Sequence, residues 1–191
     1  TSMAHLPCTL IERQADTSRF DRALELMKKM GASHAFVADN GAAAPTSMGA
    51  AQRAGTLGLS GEFGGGGTVS PDSMAFTARA IDGLLVALGI VEAPVLSDRP
   101  LTRDGELQLL SLSRHSQGIY ATRRGWFEPA AKLGDKVEAG QIAGWYHDLE
   151  RIDAPEEELR FAEGGIVISH RLHCDSQAGD CLIQVAEPIE G

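Results

Sequence analysis

The interpretation of the first half of this chain depends on one stretch, Leu59-Ser60-Gly61-Glu62-Phe63-Gly64-Gly65-Gly66-Gly67. Apolar residues that end in a single acid are typical of a strand that carries Glu62 to the edge of a sheet. The four consecutive glycines then allow a sharp backbone turn and the close approach of another group. Because ligands bind at strand ends in open α/β sheets, Glu62 is the first catalytic candidate.

Strand and helix signals alternate on both sides of this stretch. Short strands are predicted at 8–11, 35–37 and 56–60. Helices are predicted from the cap at 16–18 to Gly31, at 47–54 and at 70–88. The last helix is the clearest, because Ser70 can cap it, Pro71 occupies its first position and Gly89 can end it. Its buried stripe is predicted to consist of Met74, Ala78, Ile81, Leu85 and Leu88.

The pattern changes after a linker at about residues 96–105. From 107 to 189, short apolar runs of period two are separated by Gly and Asp, which predicts an all-β sandwich or barrel. Only 154–161 hints at a helix, with an acidic loop as the alternative. Gly134-Asp135 and Gly179-Asp180 each precede an apolar run and predict a pseudo-repeat of tight turns. The predicted domains are therefore residues 1–95 and residues 106–191.

Composition excludes several classes of protein. The 191 residues carry a net charge of −9, and Lys and Arg form no block, which argues against a nucleic-acid partner. No apolar run approaches the ~18 residues of a membrane span, so no membrane partner is expected. Three cysteines are an odd number for a disulfide framework. They favour a reducing, cytoplasmic location, although pairing of Cys174 with Cys181 is left open.

With these residues in view, the chain resembles the succinylglutamate desuccinylase/aspartoacylase family, which are zinc-dependent deacylases related to zinc carboxypeptidases. The resemblance lies in the Gly61–Gly67 segment and the following helix with Gly83-Leu84-Leu85. It extends to Gly125–Pro129 and Leu133–Val137 in the β half. It covers the whole chain, but only the C-terminal part of the family's length. It implies an α/β fold: the C-terminal part of a zinc-peptidase-like α/β/α sheet domain, followed by a small all-β barrel-like sandwich domain.

The resemblance also implies a function. The intact protein would hydrolyse an N-acyl amide bond of a small amino-acid-like substrate, with zinc as the cofactor. Family members hold zinc with a His-x-x-Glu pair and a later His, which the resemblance places upstream of Thr1. No residue of this chain is therefore expected to ligate the metal, and this piece alone is expected to be inactive. The alternative is a non-catalytic small-molecule-binding or structural module on the same scaffold.

Three residues are the predicted site. Glu62 is expected to take a proton from the attacking water and pass it to the leaving amine, and a helix cap or an ion pair is the structural alternative. In the related aspartoacylases an arginine about this far before the acid helps to bind substrate, so the resemblance implies that Arg53, or Gln52 at the alternative position, has this role. The planar fork of an arginine suits a carboxylate or carbonyl group. A solvated helix residue is the other interpretation of Arg53. Gly64 is expected to allow close approach of the substrate.

Other motifs are interpreted as structural. The glycine run matches neither G-x-G-x-x-G nor a Walker loop, which argues against phosphate binding. His147–Glu150 and His170–Cys174 contain metal-ligand residue types. On a strand, however, residues three apart point to opposite faces and do not form one metal site. Both motifs are therefore predicted to contain ordinary surface histidines in loops. The β half is similar to biotinyl/lipoyl carrier domains, but Trp145–Glu150 contains no Lys to modify.

The roles of some surface residues are left open. Tyr120, Arg123, Arg124 and Trp126 could reach the rim of an active site, or they could be ordinary strand and turn residues. Assembly into a homo-oligomer is also left open.

Overall fold

A computed structural model describes residues 3–13, 16–98 and 106–190 of the chain. The part of the predicted linker from Arg99 to Gly105 lies outside the described residues. The helices are α1 (Thr17–Met30), α2 (Ser47–Arg53) and α3 (Pro71–Ala87). The strands are β1 (Met3–His5), β2 (Cys8–Glu12), β3 (His34–Ala38), β4 (Ser60–Glu62), β5 (Gln108–Ser111), β6 (Gly118–Tyr120), β7 (Gly125–Pro129), β8 (Lys136–Val137), β9 (Ile142–Asp148), β10 (Glu157–Arg160), β11 (Gly165–Arg171), β12 (Asp175–Ser176) and β13 (Cys181–Ile189).

The chain divides into two compact units. An α/β unit contains Pro7–Gly64, Val69–Ser111 and Ile189–Gly191, and a β unit contains Thr1–Leu6, Gly65–Thr68 and Leu112–Pro188. These elements confirm a mixed α/β fold. No described helix is both long and apolar enough to cross a lipid bilayer.

The sheet of the α/β unit has the order β5-β3-β2-β4. Strand β3 is parallel to both β2 and β5, whereas β4 runs antiparallel to β2. Helix α1 begins at the Asp16 cap and ends at Gly31, and it packs on α3. The buried core of this unit includes Ile11, Met27 and Ala80. Strand β5 was predicted within the β half, but its pairing with β3 places it in this sheet.

Helix α3 begins and ends as predicted, but the prediction of its buried stripe is wrong. Ser70 and Ser73 form a reciprocal cap, and Pro71 is the first helical residue. The buried residues of α3 are instead Phe76, Ala80, Asp82 and Gly83. A β-carbon on Gly83 would lie 1.9 Å from the Lys29 carbonyl oxygen, so this glycine allows α3 to lie directly on α1.

The β unit contains two sheets. One joins β1, β11 and β13, with β8 also paired to β11 and β6 to β13, and the other has the order β10-β9-β7-β12. The segment in which a helix was suspected contains strand β10, which pairs antiparallel with β9. Its core includes Phe127, Tyr146, Val167 and Leu182.

The predicted pseudo-repeat is present as two equivalent turns. Asp135 accepts a hydrogen bond from the Lys132 N–H at 2.8 Å, and Asp180 accepts one from the Gln177 N–H at 2.7 Å. The preceding Gly134 and Gly179 have φ angles of 88° and 89°, a region that L side chains rarely adopt. Each Gly-Asp pair therefore closes a tight turn at the entrance of a strand.

Candidate functional site

Glu62 lies at the end of the edge strand β4. Its pairing partner across the antiparallel ladder is Cys8, the first residue of β2. The side chain is exposed, and its carboxylate forms no hydrogen bond or ion pair with another residue in 3–13, 16–98 or 106–190. The structural alternatives for Glu62, a helix cap or an ion pair, are therefore not found among these residues. The carboxylate is free to exchange a proton with a bound molecule.

The residues on both sides of Glu62 fix its direction. A β-carbon on Gly61 would lie 2.4 Å from the Phe63 ring, so the ring lies over the glycine. Phe63 also packs against Phe76 of α3, with 5.0 Å between the ring centroids. Gly61 and Glu62 are neighbours in β4 and point to opposite faces, so Glu62 points away from the face on which the Phe63 ring covers Gly61.

The glycine run turns the backbone from β4 towards α3. All four glycines have positive φ angles, from 66° at Gly66 and Gly67 to 142° at Gly64. Side chains at these positions would be strained, which explains the composition of the segment. A β-carbon at Gly64 would meet only Ser73, at an ordinary 3.5 Å. Its role in substrate binding stays a prediction.

Cys8 is a neighbour of Glu62 that the sequence did not indicate. It is 6% exposed. Burial, together with the negative charge of Glu62, raises the pKa of the Cys8 thiol to about 11. The residue opposite the candidate acid therefore carries no charge near neutral pH. The signal that could have revealed it is its place at the start of the strand that pairs with Glu62.

Arg53 lies at the end of α2 and holds the loop that follows β3. Its guanidinium donates hydrogen bonds to the carbonyl oxygens of Ala42 at 2.5 Å and Ala44 at 3.1 Å. Its neighbour Gln52 donates to the Arg13 carbonyl at 3.3 Å. Both residues are therefore tied to segments that follow the carboxyl ends of β2 and β3.

No hydrogen bond or ion pair joins Arg53 to Glu62 within residues 3–13, 16–98 and 106–190. The loop that Arg53 holds is anchored to Glu12, the last residue of β2, which accepts a 2.7 Å hydrogen bond from the Gly41 N–H. Glu62 pairs with Cys8 at the other end of the same strand. Five strand residues span ~13 Å at ~3.3 Å per step. Substrate binding by Arg53 stays a prediction.

Glu12 is a second carboxylate that sequence reasoning missed. It is only 1% exposed, and its carboxylate accepts the backbone N–H groups of Asn40 and Gly41. It ends an apolar run in the same way as Glu62. The shared pattern could have identified both acids, but one is buried to order a loop and the other is exposed.

The described residues offer no metal site. Within 3–13, 16–98 and 106–190, no group of three or more His, Cys, Asp or Glu side chains is placed to hold a metal ion. The His147 Nε2 atom lies 3.0 Å from a Glu128 carboxylate oxygen, and Asp148 is bound by Arg151 at 3.3 Å. In the second motif, the His170 Nδ1 atom lies 3.0 Å from the Arg171 carbonyl oxygen. Both histidines therefore make local contacts, and the described residues do not fit a zinc ion.

The four suspected rim residues make contacts within the β unit. Arg123 pairs with Glu157 at 2.8 Å, and Arg124 with Asp175 at 3.1 Å. The Tyr120 ring stacks on His115, with 4.4 Å between centroids. The Trp126 ring stacks on His147 at 4.8 Å.

Comparison with known proteins completes this description. Residues 1–88 match the model of the succinylglutamate desuccinylase/aspartoacylase catalytic domain. A curated relative, the N-alpha-acetyl-L-2,4-diaminobutyric acid deacetylase of Halomonas elongata, is 31% identical over 182 residues. The chain belongs to the succinylglutamate desuccinylase/aspartoacylase family.

Solved structures share the fold of this family member. The succinylglutamate desuccinylase/aspartoacylase of Rhodobacter sphaeroides matches all of the chain with a TM-score of 0.86 and 26% identity, over 56% of its own length. The product-bound ectoine utilization protein EutE (DoeB) of Ruegeria pomeroyi matches 97% of the chain with a TM-score of 0.81 and 22% identity, over 54% of its length. The match to the Halomonas deacetylase covers 92% of the chain and 50% of that relative. The chain thus spans about half the length of these relatives.

Proposed function

We propose that the intact protein hydrolyses the N-acyl amide bond of a small amino-acid-like substrate, with Glu62 as the group that moves the proton. Membership of a deacylase family and the name of the Halomonas deacetylase support this reaction class. The observation that carries the role of Glu62 is its exposed carboxylate, without a protein partner among the described residues, next to the positive-φ glycines.

In the proposed reaction, one carboxylate carries out both proton transfers. A water molecule attacks the amide carbonyl carbon while Glu62 accepts a proton from that water. Glu62 then donates this proton to the nitrogen as the carbon–nitrogen bond breaks, and a carboxylic acid and a free amine are released. A positioned acid–base group of this kind contributes ~10²–10⁴-fold in rate.

Zinc dependence is a separate part of the proposal. A bound zinc ion would polarise the carbonyl group and lower the pKa of water. The described residues do not fit the ion, so its ligands are proposed to come from other segments of the intact protein, and the 191-residue chain by itself is proposed to be inactive. Metal analysis tests this part: about one zinc per intact protein and loss of activity with a chelator are expected. Full activity of a metal-free preparation would contradict it.

The test of Glu62 is its isosteric amide. Glu62→Gln in the intact protein is expected to lower kcat at least ~100-fold on N-acetyl and N-succinyl amino acids. Its zinc content and thermal unfolding should not change. Glu92→Gln, at another exposed glutamate, is the matched control and should keep full activity. Near-normal turnover of Glu62→Gln would remove Glu62 from this role.

The second candidate is a non-catalytic module that binds a small molecule or supports an assembly. The observation that favours it is that the described residues contain no group of three or more His, Cys, Asp or Glu side chains placed to bind a metal ion. An intact protein that contains no zinc and hydrolyses none of the tested N-acyl amino acids would support this candidate over the deacylase.

A further inference from the structure

Exposed apolar side chains are concentrated at one place in the α/β unit. They lie in the C-terminal half of α3 and in the segment that follows it. We call this set the α3 patch; its members are 41–64% exposed and are Ile81, Leu88, Ile90, Val95 and Leu96. Monomeric soluble proteins rarely expose contiguous apolar patches of more than a few hundred Å². The α3 patch therefore indicates a surface that another element covers.

Hydrogen bonds hold the α3 patch in a fixed arrangement. The Asp82 carboxylate accepts the backbone N–H groups of Val95 and Leu96 at 2.9–3.1 Å. The Ile90 N–H donates to the Leu85 carbonyl oxygen at 2.9 Å, so the chain after α3 stays beside the end of the helix. Ordering a backbone segment costs conformational entropy, and these hydrogen bonds offset that cost. The patch is thus an ordered apolar surface next to α3.

The helical part of the α3 patch lies on the side of α3 that is turned away from α1. A β-carbon on Gly83 would lie 1.9 Å from the Lys29 carbonyl oxygen, so Gly83 marks the side that contacts α1. Ile81 is two positions away, which is ~200° around a helix of ~3.6 residues per turn. Helix α1 connects the parallel strands β2 and β3 and therefore covers one face of the sheet. The next helix in that layer would lie against the α3 patch.

The edge of the sheet near α3 is open. Among the described residues, β4 is the last strand in the order β5-β3-β2-β4, and β2 is its only neighbour. Phe63, directly after β4, packs on Phe76 of α3 with 5.0 Å between the ring centroids, so α3 lies near this edge. An unpaired edge accepts a further strand. Because helices cover the faces of an α/β sheet, a helix that accompanies such a strand would reach the α3 patch.

Further segments of the intact protein are available to fill these positions. The chain spans about half the length of its relatives. Helix α3 lies within residues 1–88, which match the catalytic-domain model, so it belongs to a domain whose relatives contain more chain. A segment of the same polypeptide acts at an effective concentration in the millimolar range. It should therefore occupy the α3 patch ahead of a separate molecule.

We propose that an amphipathic helix from the rest of the intact protein packs along α3 and covers the α3 patch, on the side opposite to α1. The stripe of Ala78, Ile81, Leu85 and Leu88 contains no charged residue, so the facing side of that helix is apolar as well. A strand next to this helix in sequence pairs with β4 and closes the open edge of the sheet. The proposal does not depend on the deacylase reaction.

Thiol protection in the intact protein tests the proposal. Ile81→Cys and Leu88→Cys should react with iodoacetamide at least ~10-fold more slowly in the folded protein than in guanidinium, because a covered thiol is inaccessible. Mass spectrometry of the separate peptides gives each rate. Leu149→Cys is the matched control, since Leu149 is also 41% exposed but lies in the β unit, and it should react at similar rates in both states. Folded-state rates of both α3 variants close to their unfolded rates would overturn the proposal.

The concentration dependence of this protection identifies the occupant. A helix of the same polypeptide gives the same protection at ~1 and ~100 µM protein, because its effective concentration does not change. Protection that appears only at the higher concentration would assign the α3 patch to a second molecule and overturn the proposal.

A charge in the α3 patch gives a second test. Ile81→Glu should lower the urea midpoint of the intact protein, because it places an unpaired charge in an apolar contact, whereas Ile81→Leu should keep the midpoint. Failure of Ile81→Glu to fold while Ile81→Leu folds would give the same answer, since an exposed site tolerates a glutamate. Equal midpoints of the two variants and the wild type would contradict a covered patch.

Hydrogen exchange tests the pairing of β4. In the intact protein, the amides of Ser60, Gly61 and Glu62 should all be protected, because a strand with two neighbours has partners on both sides. An edge strand protects only the amides that face its single neighbour. Exchange of the other amides of β4 at the unfolded rate would overturn the added strand.

Discussion

Cys8 and Glu62 lie directly opposite each other in the antiparallel β2–β4 ladder, one buried and one exposed. Directly opposed residues have β-carbons ~4.5–5.5 Å apart, close enough for the charge of one to influence the other. The carboxylate and the low-dielectric surroundings both disfavour a thiolate at Cys8. Burial is the larger cause and the charge of Glu62 the smaller one, and together they raise the pKa of the Cys8 thiol to about 11.

Thiol labelling is expected to distinguish the three cysteines. Burial raises the pKa of Cys8 and of Cys181 to about 11, whereas the Cys174 side chain is exposed. The thiolate is the reactive form, so at pH 8 iodoacetamide should modify Cys174 at least ~10-fold faster than the other two. Mass spectrometry of timed samples gives the rates. Rapid labelling of Cys8 in the folded protein would contradict its burial, and guanidinium-unfolded protein should label at all three positions.

Gly83→Ala is expected to destabilise the α/β unit although alanine favours helices. The new methyl group would lie 1.9 Å from the Lys29 carbonyl oxygen, so α1 and α3 must separate. Overpacking of this kind costs ~1–3 kcal/mol, which exceeds the ~1 kcal/mol gain in helix propensity. Urea unfolding measures the difference. Met74→Ala, in the same helix at an exposed site, is the control, and equal or greater stability of Gly83→Ala would refute the close approach.

Asp82→Asn is expected to lower stability in a pH-dependent way. Burial alone would raise the pKa of Asp82, but three backbone N–H donors outweigh it and lower this pKa from its ordinary value of 3.8. The charged form thus contributes stability that is present above pH 3.8 and is lost as the pH falls through the lower, folded-state pKa. The difference in unfolding free energy between variant and wild type should be large at pH 7 and shrink below about pH 3.8. Asp72→Asn, at an exposed helix start, is the control. A constant difference at all pH values would argue against the ionised form of Asp82.

Arg53→Ala separates a loop role from a substrate role. Loss of the hydrogen bonds to Ala42 and Ala44 should lower the unfolding free energy by about 1 kcal/mol. If Arg53 also binds substrate, KM should rise ~10-fold or more with little change in kcat. The exposed Arg22→Ala in α1 is the control for loss of an arginine. Unchanged KM and kcat, with reduced stability, would assign Arg53 to the loop alone.

Helix α3 shows what the sequence can and cannot determine. Its caps are local, so Ser70, Pro71 and the residues before Gly89 predicted its ends correctly. Its buried face is not a local property. Both sides of the helix are apolar, and the side that packs is decided by small residues such as Gly83, which allow α1 to come close. Periodicity alone selected the side with the larger side chains, and that side is exposed.

The candidate site shows the same limit. The order of an apolar run, an acid and four glycines was enough to select Glu62 and the turn that follows it. The same reasoning could not place Arg53, because nine residues of chain leave the direction of its side chain open. The pairing of β4 with β2, which places Glu62 opposite Cys8, is a long-range contact that the sequence does not encode locally. The role of Glu12 was not predicted, because the sequence does not distinguish an acid that binds backbone N–H groups from one that binds substrate.

Strand β1 has a consequence for how the protein is made. It pairs with β11, so Met3 meets Arg171 only after all the residues between them have left the ribosome. Domains form as units during synthesis, and contacts between distant segments form slowly. Residues 3–5 must therefore stay without their strand partner until β11 has been made, and a chaperone that shields nascent strands would find a binding segment here.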